Sequence, residues 1–145
     1  MDWREHLQSR LLALQPDRLC VLDEAAREFA AEVLPATPTL PFEQAHTAPC
    51  TLALALGIAA LDGLDENAAR HLIHRVRLYA APRVLLLARA ACALDDDAFR
   101  ALGFVRELLD PADHARIQSY DLATYKPVPD WLNARFWAHP ERWEP

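Results

Sequence analysis

The chain has three glycines in 145 residues, and none occurs before Gly57. The first third of the sequence therefore carries no glycine-rich turn of the kind that cradles phosphate groups on backbone amides. Lys126 is its single lysine, so its basic character is almost wholly arginine, a skew that points to a GC-rich bacterial coding sequence rather than to chemistry. No C-x-x-C pair links Cys20, Cys50 and Cys92, which argues against a zinc ribbon or dithiol redox motif and leaves buried free thiols in a reducing compartment. No apolar run is long enough to span a bilayer, and the charged start Met1-Asp-Trp-Arg-Glu-His6 lacks the apolar stretch of a signal peptide. A cytoplasmic protein without membrane contact is expected. There is no G-x-S-x-G elbow, no spaced calcium loop and no internal repeat.

A net charge of −6 argues against nucleic acid or an anionic membrane as partner. With 52% of its residues hydrophobic, the chain can build a core without staples. A chain of this length normally forms one domain and buries about two-thirds of the surface its unfolded form exposes.

Trp3, Leu7, Leu11 and Leu14 fall on one face of an N-terminal helix within residues 1–15, which Pro16 ends. Leu19–Leu22 is a short buried strand within Arg18–Asp23. Ala26, Phe29, Ala30 and Val33 mark a helix that starts at Glu24 and stops at Pro35. Pro35, Pro38, Pro41 and Pro49 make the next stretch a loop with at best one short edge strand, Thr39–Phe42. Cys50–Leu56 is apolar without alternation, as a strand covered on both faces should be. Asp65 caps a helix whose stripe is Ala69, Leu72, Ile73, Val76 and Tyr79, and Pro82 breaks it before a second apolar strand, Arg83–Ala88. This strand–helix–strand unit is long enough for a parallel crossover. Asp95 caps a short helix ending at Gly103, and Phe104–Leu109 and Ser119–Tyr125 suit strands, the second antiparallel near the sheet margin.

The apolar strand before Gly57, the loop Leu61-Asp-Gly-Leu-Asp65, the helix to Ala80, the strand Val84–Ala88, the turn Leu102-Gly-Phe104 and the closing strand pair occur in a familiar order. From Thr51 to Tyr125 the chain resembles the second half of a class I S-adenosylmethionine-dependent methyltransferase. The resemblance implies a three-layer Rossmann-like α/β fold over residues 1–125, mostly parallel, with a C-terminal antiparallel β-hairpin and three parallel strands at its centre. It also implies S-adenosylmethionine as the cofactor, held by Asp23, Glu24, Gly57 and Asp62. The first half departs from that family. Leu22-Asp23 stands where the acidic residue before the glycine-rich turn belongs, but Glu24-Ala-Ala-Arg27 replaces the glycines, and their Cβ atoms obstruct a ligand lying against the backbone. Between Val33 and Cys50 only one short strand fits, and Glu43 is the sole candidate for a second, ribose-binding acid.

Ligands of open α/β sheets sit at the carboxyl ends of the parallel strands, which here carry Asp23, Glu24, Gly57 to Asp62, and Arg89. These residues suit a small polar ligand, or else they are solvated loop residues and caps, with Asp23 capping the helix at Glu24. His71 and His74 have a spacing that can share a metal, with His46 or Cys50 as a third ligand. Arg70, His74 and Arg77 instead read as a solvent-facing stripe, and no metal is expected. Asp95-Asp-Asp97 is an acidic first helical turn facing the positive end of the helix dipole.

The Pro/Trp-rich extension 126–145 holds three of the four tryptophans. Each large aromatic left in water forgoes roughly 2–3 kcal/mol of burial, so the extension should dock, on its own domain beside Trp3 or on a partner. Its interface anchors are Trp131, Arg135, Phe136, Trp137 and Trp143. Two functions remain open. One is a non-enzymatic binding or assembly module without cofactor, a homodimer or a protein's partner. The other is a divergent methyltransferase using Asp23, Gly57 and Asp62, or a small-ligand sensor in the same crevice.

Overall fold

The structure is a computed structural model that describes residues 2–42, 54–79 and 82–121. Glu43, His46, Cys50 and the extension 126–145 with its five anchors lie outside the described residues. Ten elements follow in order: α1 (Trp3–Leu14), β1 (Leu19–Val21), α2 (Glu24–Val33), β2 (Thr39–Pro41), β3 (Leu54–Gly57), α3 (Glu66–Tyr79), β4 (Arg83–Ala88), α4 (Asp96–Ala101), β5 (Val105–Asp110) and β6 (Ala115–Asp121).

Local chemistry sets the helix ends. Asp2 accepts from the Glu5 amide at 2.8 Å, Asp65 from Ala68 at 2.7 Å and Asp95 from Ala98 at 2.8 Å. Each carboxylate satisfies a first-turn donor that has no partner within its own helix. Gly103, at φ +92°, closes the turn after α4 in a left-handed conformation that costs glycine nothing.

The six strands form one sheet in the order β2-β1-β3-β4-β6-β5. β2, β1, β3 and β4 run parallel, β6 is antiparallel to β4, and β5 closes the sheet as the outer arm of the hairpin. The sheet is thus an α/β Rossmann-like sheet, mostly parallel, with the expected C-terminal hairpin. The proline-bearing stretch yields the short edge strand β2, beside the three interior parallel strands.

The period of two divides each interior strand between the two faces. Leu85 and Leu87 of β4 pack with Leu54, Leu56, Trp3, Leu7 and Leu11 on the face covered by α1 and α2. Val84, Leu86 and Ala88 pack with Ile73, Val76, Phe99 and Phe104 on the face covered by α3 and α4. This two-sided cover explains why β3 and β4 carry no polar alternation.

Against the sequence expectation β5 is shifted by one residue and β3 includes Gly57, and the largest boundary difference is at β6, which begins at Ala115, four residues ahead of Ser119. The turn before it uses His114 at φ +51° rather than a glycine, and the His114 amide bonds the Pro111 carbonyl at 3.4 Å. β5 carries a bulge between Arg106 and Leu108, where Glu107 is the unpaired extra residue.

Candidate functional site

The strand order reverses between β1 and β3: the chain leaves β1 outward to β2, and leaves β3 in the other direction to β4. Such a switch point is where open α/β sheets bind ligands, because the diverging loops leave a crevice. Here the chain closes it. The Leu22 amide bonds the Leu56 carbonyl at 2.9 Å, extending the β1–β3 ladder past the end of β1.

Asp23 follows immediately and stands at the N-cap position of α2, yet its carboxylate makes no cap bond. It reaches instead to the loop after β3, where Oδ1 accepts from the Ile58 amide at 3.1 Å and Oδ2 from the Ala59 amide at 2.6 Å. These bonds, across 35 and 36 residues of sequence, outcompete the local cap because two part-buried amides would otherwise lack acceptors. Two converging amides at a switch point are anion donors, and an internal carboxylate occupies them.

Gly57 is surrounded in the same way. A Cβ there would lie 2.9 Å from Leu86 Cδ2, 3.0 Å from Leu22 Cδ1 and 3.3 Å from Ala60 Cβ. The missing side chain makes room for the protein's own leucines. Glu24 turns outward and pairs with Arg27, whose Nε is 2.9 Å from Oε2. The Arg27 hydrogen bond holds the Glu24 carboxyl below its usual range.

Asp62 and Arg89 meet across the loops after β3 and β4: Asp62 Oδ2 accepts from Arg89 Nη2. The other oxygen, Oδ1, is buried with no hydrogen-bond partner among the described residues. Asp23 and Asp62 therefore have different partners. Beside Asp23, Glu24, Arg27 and Pro41 is a cleft of about 180 Å³, below the range of about 300–1,000 Å³ usual for small-molecule sites. On the α1–α2 face, Trp3, Phe29, Ile58, Glu28, Glu32 and Arg89 line another of about 280 Å³.

The sequence model described as "Family of unknown function (DUF6231)" matches residues 1–145. The chain belongs to that family. No curated protein matches it. Among solved structures it is similar to N,N-8-amino-8-demethyl-D-riboflavin dimethyltransferase from Streptomyces davawensis, at 12% identity and a TM-score of 0.45, over 81% of this chain and 54% of the other. It is also similar to an rRNA methylase from Escherichia coli, at 13% identity and a TM-score of 0.41, over 79% of this chain and 62% of the other. A Thermoplasma acidophilum protein matches at 11% identity and a TM-score of 0.38, over 82% of this chain and 95% of the other. The chain thus spans less than two-thirds of the length of the two methyltransferases. Likenesses this weak carry no argument about activity.

The remaining candidates are dispersed. His71 and His74 are exposed on α3, while Arg77 leaves the anticipated polar stripe and stacks over the Tyr120 ring at 4.6 Å. Among the described residues no group of three or more His, Cys, Asp or Glu is placed to hold a metal. Burial pushes the Cys92 thiol up, against the opposing effects of the Leu94 carbonyl and Arg116, which is the reverse of what an activated nucleophile needs. No helix of the described residues is long and apolar enough to cross a membrane.

Two polar arrangements had no sequence signal. Trp3 donates its backbone amide to Asp110 Oδ2 and its indole Nε1 to Asp113 Oδ2, both at 3.0 Å. Asp96, the middle member of the acidic triplet, reaches across to the hairpin. Its Oδ1 accepts from Arg116 Nη1 and Gln118 Nε2, and its Oδ2 from Arg106 Nη1, each at 2.8 Å. Both join residues far apart in sequence, which periodicity cannot pair.

Proposed function

We propose that the chain is a non-enzymatic binding or assembly module on a methyltransferase-like scaffold whose cofactor crevice has been taken over by the protein itself. The observation that carries this reading is the Asp23 carboxylate on the Ile58 and Ala59 amides. The leucine packing at Gly57 and the small volume beside Asp23 support it. In this reading the Ile58 and Ala59 amides are not free for a cofactor, and no methyl transfer is assigned to the chain. The partner in this reading is a second copy or another protein, engaged through Trp131, Arg135, Phe136, Trp137 and Trp143, and neither nucleic acid nor membrane.

Titration calorimetry of the full chain with S-adenosylmethionine and its demethylated product tests the reading. No heat at millimolar ligand is expected. Saturable one-to-one binding of either compound would overturn it and restore the divergent methyltransferase.

A further inference from the structure

A cleft of about 430 Å³ lies between α4 and the hairpin, at the sheet edge opposite β2. Its volume is inside the range of about 300–1,000 Å³ typical of small-molecule sites, and it is remote from the switch point. Asp96, Arg100, Phe104, Val105, Arg106 and Gln118 line it.

The charges there do not cancel. Arg116, only 18% exposed, bonds Asp96 through Nη1 and the Leu94 carbonyl through Nη2, so one fixed guanidinium already balances that carboxylate. Arg106 is then surplus. It spends one of its five N–H donors on Asp96 and has no other hydrogen bond among the described residues. Arg100 is paired with Asp97, but both are more than three-quarters exposed and only three residues apart, an arrangement that holds weakly. Each guanidinium can thus turn donors toward a guest.

The rest of the lining is apolar or fixed. Phe104 is buried, edge-on to Phe99 at 5.6 Å and 5.5 Å from Tyr120, so the base is rigid. Val105 pairs with Ser119 and so points to the opposite face of the sheet, which leaves Phe104 as the apolar side chain of the cleft. Gln118 is buried and tied to Asp96, which fixes its amide at the wall.

We propose that this cleft binds a small organic anion, a carboxylate on a planar apolar body, with Arg106 and Arg100 on the head and the Phe104 ring against the body. The surplus charge is small, with Asp96 and Asp97 close by, so a singly charged head matches it better than a doubly charged phosphate. Arginine forks also match the planar geometry of a carboxylate.

The probe is 2-naphthoate added to the isotope-labelled full chain, with neutral 2-naphthamide as control and NMR as readout. Naphthoate should shift the Phe104 ring protons and the Gln118 side-chain amide saturably, and the amide should bind about tenfold or more weakly, since only the charged head engages the guanidinium groups. Arg106→Gln and Arg100→Gln should each weaken naphthoate by about tenfold and leave naphthamide unchanged. Should Arg106→Gln disturb folding through its bond to Asp96, the exposed Arg100→Gln decides. Absence of shifts at Phe104 and Gln118, equal binding of acid and amide, or indifference to Arg100→Gln would each overturn the proposal.

Discussion

Asp23 and Ala59 are joined by a 2.6 Å hydrogen bond from the Ala59 amide to Oδ2, and the Ile58 amide bonds the same carboxylate at 3.1 Å. The link ties the end of β1 to the loop after β3 and does the work a bound anion would otherwise do. Asp23→Ala strands two part-buried donors and should cost about 1–3 kcal/mol in urea unfolding. Asp23→Asn keeps one acceptor oxygen and should lose less. If the alanine variant unfolds at the same urea concentration as the parent, the closure is not stabilising.

Gly57 and Gly63 are needed for different reasons, and alanine separates them. At Gly57 the new Cβ meets two leucine termini at 2.9 and 3.0 Å, so Gly57→Ala forces repacking of Leu86 and Leu22, at about 1–3 kcal/mol for overpacking. At Gly63 nothing lies within 4 Å, but φ is +77°, and the left-handed conformation costs an alanine about 1–2 kcal/mol. Trimming the neighbour distinguishes the two: Leu86→Val should relieve part of the Gly57→Ala penalty and none of the Gly63→Ala penalty. Double-mutant unfolding cycles measure this, and equal coupling at both glycines would refute the packing explanation.

The legible parts of the fold were those written locally. The apolar run of β4, the capping residues Asp65 and Asp95 and the stop at Gly103 each act within a few residues of themselves, and the structure has them where the sequence put them, while β3 is described from Leu54 and includes Gly57. The start of β6 was obscured because His114 takes a left-handed conformation that is usually glycine's. At the candidate site the sequence identified Asp23 but not its partner. A cap is a local prospect, whereas the Ile58 and Ala59 amides come within reach only after β1 and β3 have paired. Trp3 finds Asp110 and Asp113 by the same route, across 107 and 110 residues of sequence.

Glu107 makes the domain acid-sensitive. Burial raises its pKa, but hydrogen bonds from His6 and Ser119 and the charge of Arg10 outweigh that and leave the folded-state value below the usual range. A depressed folded-state pKa contributes stability that is fully present above the unfolded value, about 4.3 for glutamate, and is lost as pH falls through the folded one. Glu107→Gln should therefore destabilise at neutral pH by about 1–2 kcal/mol and flatten the stability profile below about pH 4.3. Urea midpoints from pH 7 to pH 3 check both. A variant that keeps the parent's acid slope would move the effect to another carboxylate, with Asp96 next in line because Arg116 and Arg106 overcome its desolvation and lower its pKa.

The amino end of α1 is held by the far hairpin. Trp3 is 5% exposed, with its ring centroid 6.2 Å from that of Phe29. Its backbone N–H is one of the first-turn donors that no helix satisfies internally, and Asp110, itself 5% exposed, accepts it at 3.0 Å. The other Asp110 oxygen accepts from Ala112 at 3.1 Å, so this carboxylate serves both the helix and the turn. Asp110→Ala leaves both donors without that acceptor and should cost about 2–3 kcal/mol. Asp113 is exposed and, among the described residues, bonds only the indole Nε1, so Asp113→Ala should cost about 1 kcal/mol or less. Trp3→Phe loses that same indole bond while keeping a buried ring, and Trp3→Ala should cost about 3–5 kcal/mol. The ranking Trp3→Ala, then Asp110→Ala, then Asp113→Ala is the prediction, read from urea unfolding. Equal losses for the two aspartates would mean that Asp110 does not hold the helix end, and α1 would then be anchored by its apolar stripe alone.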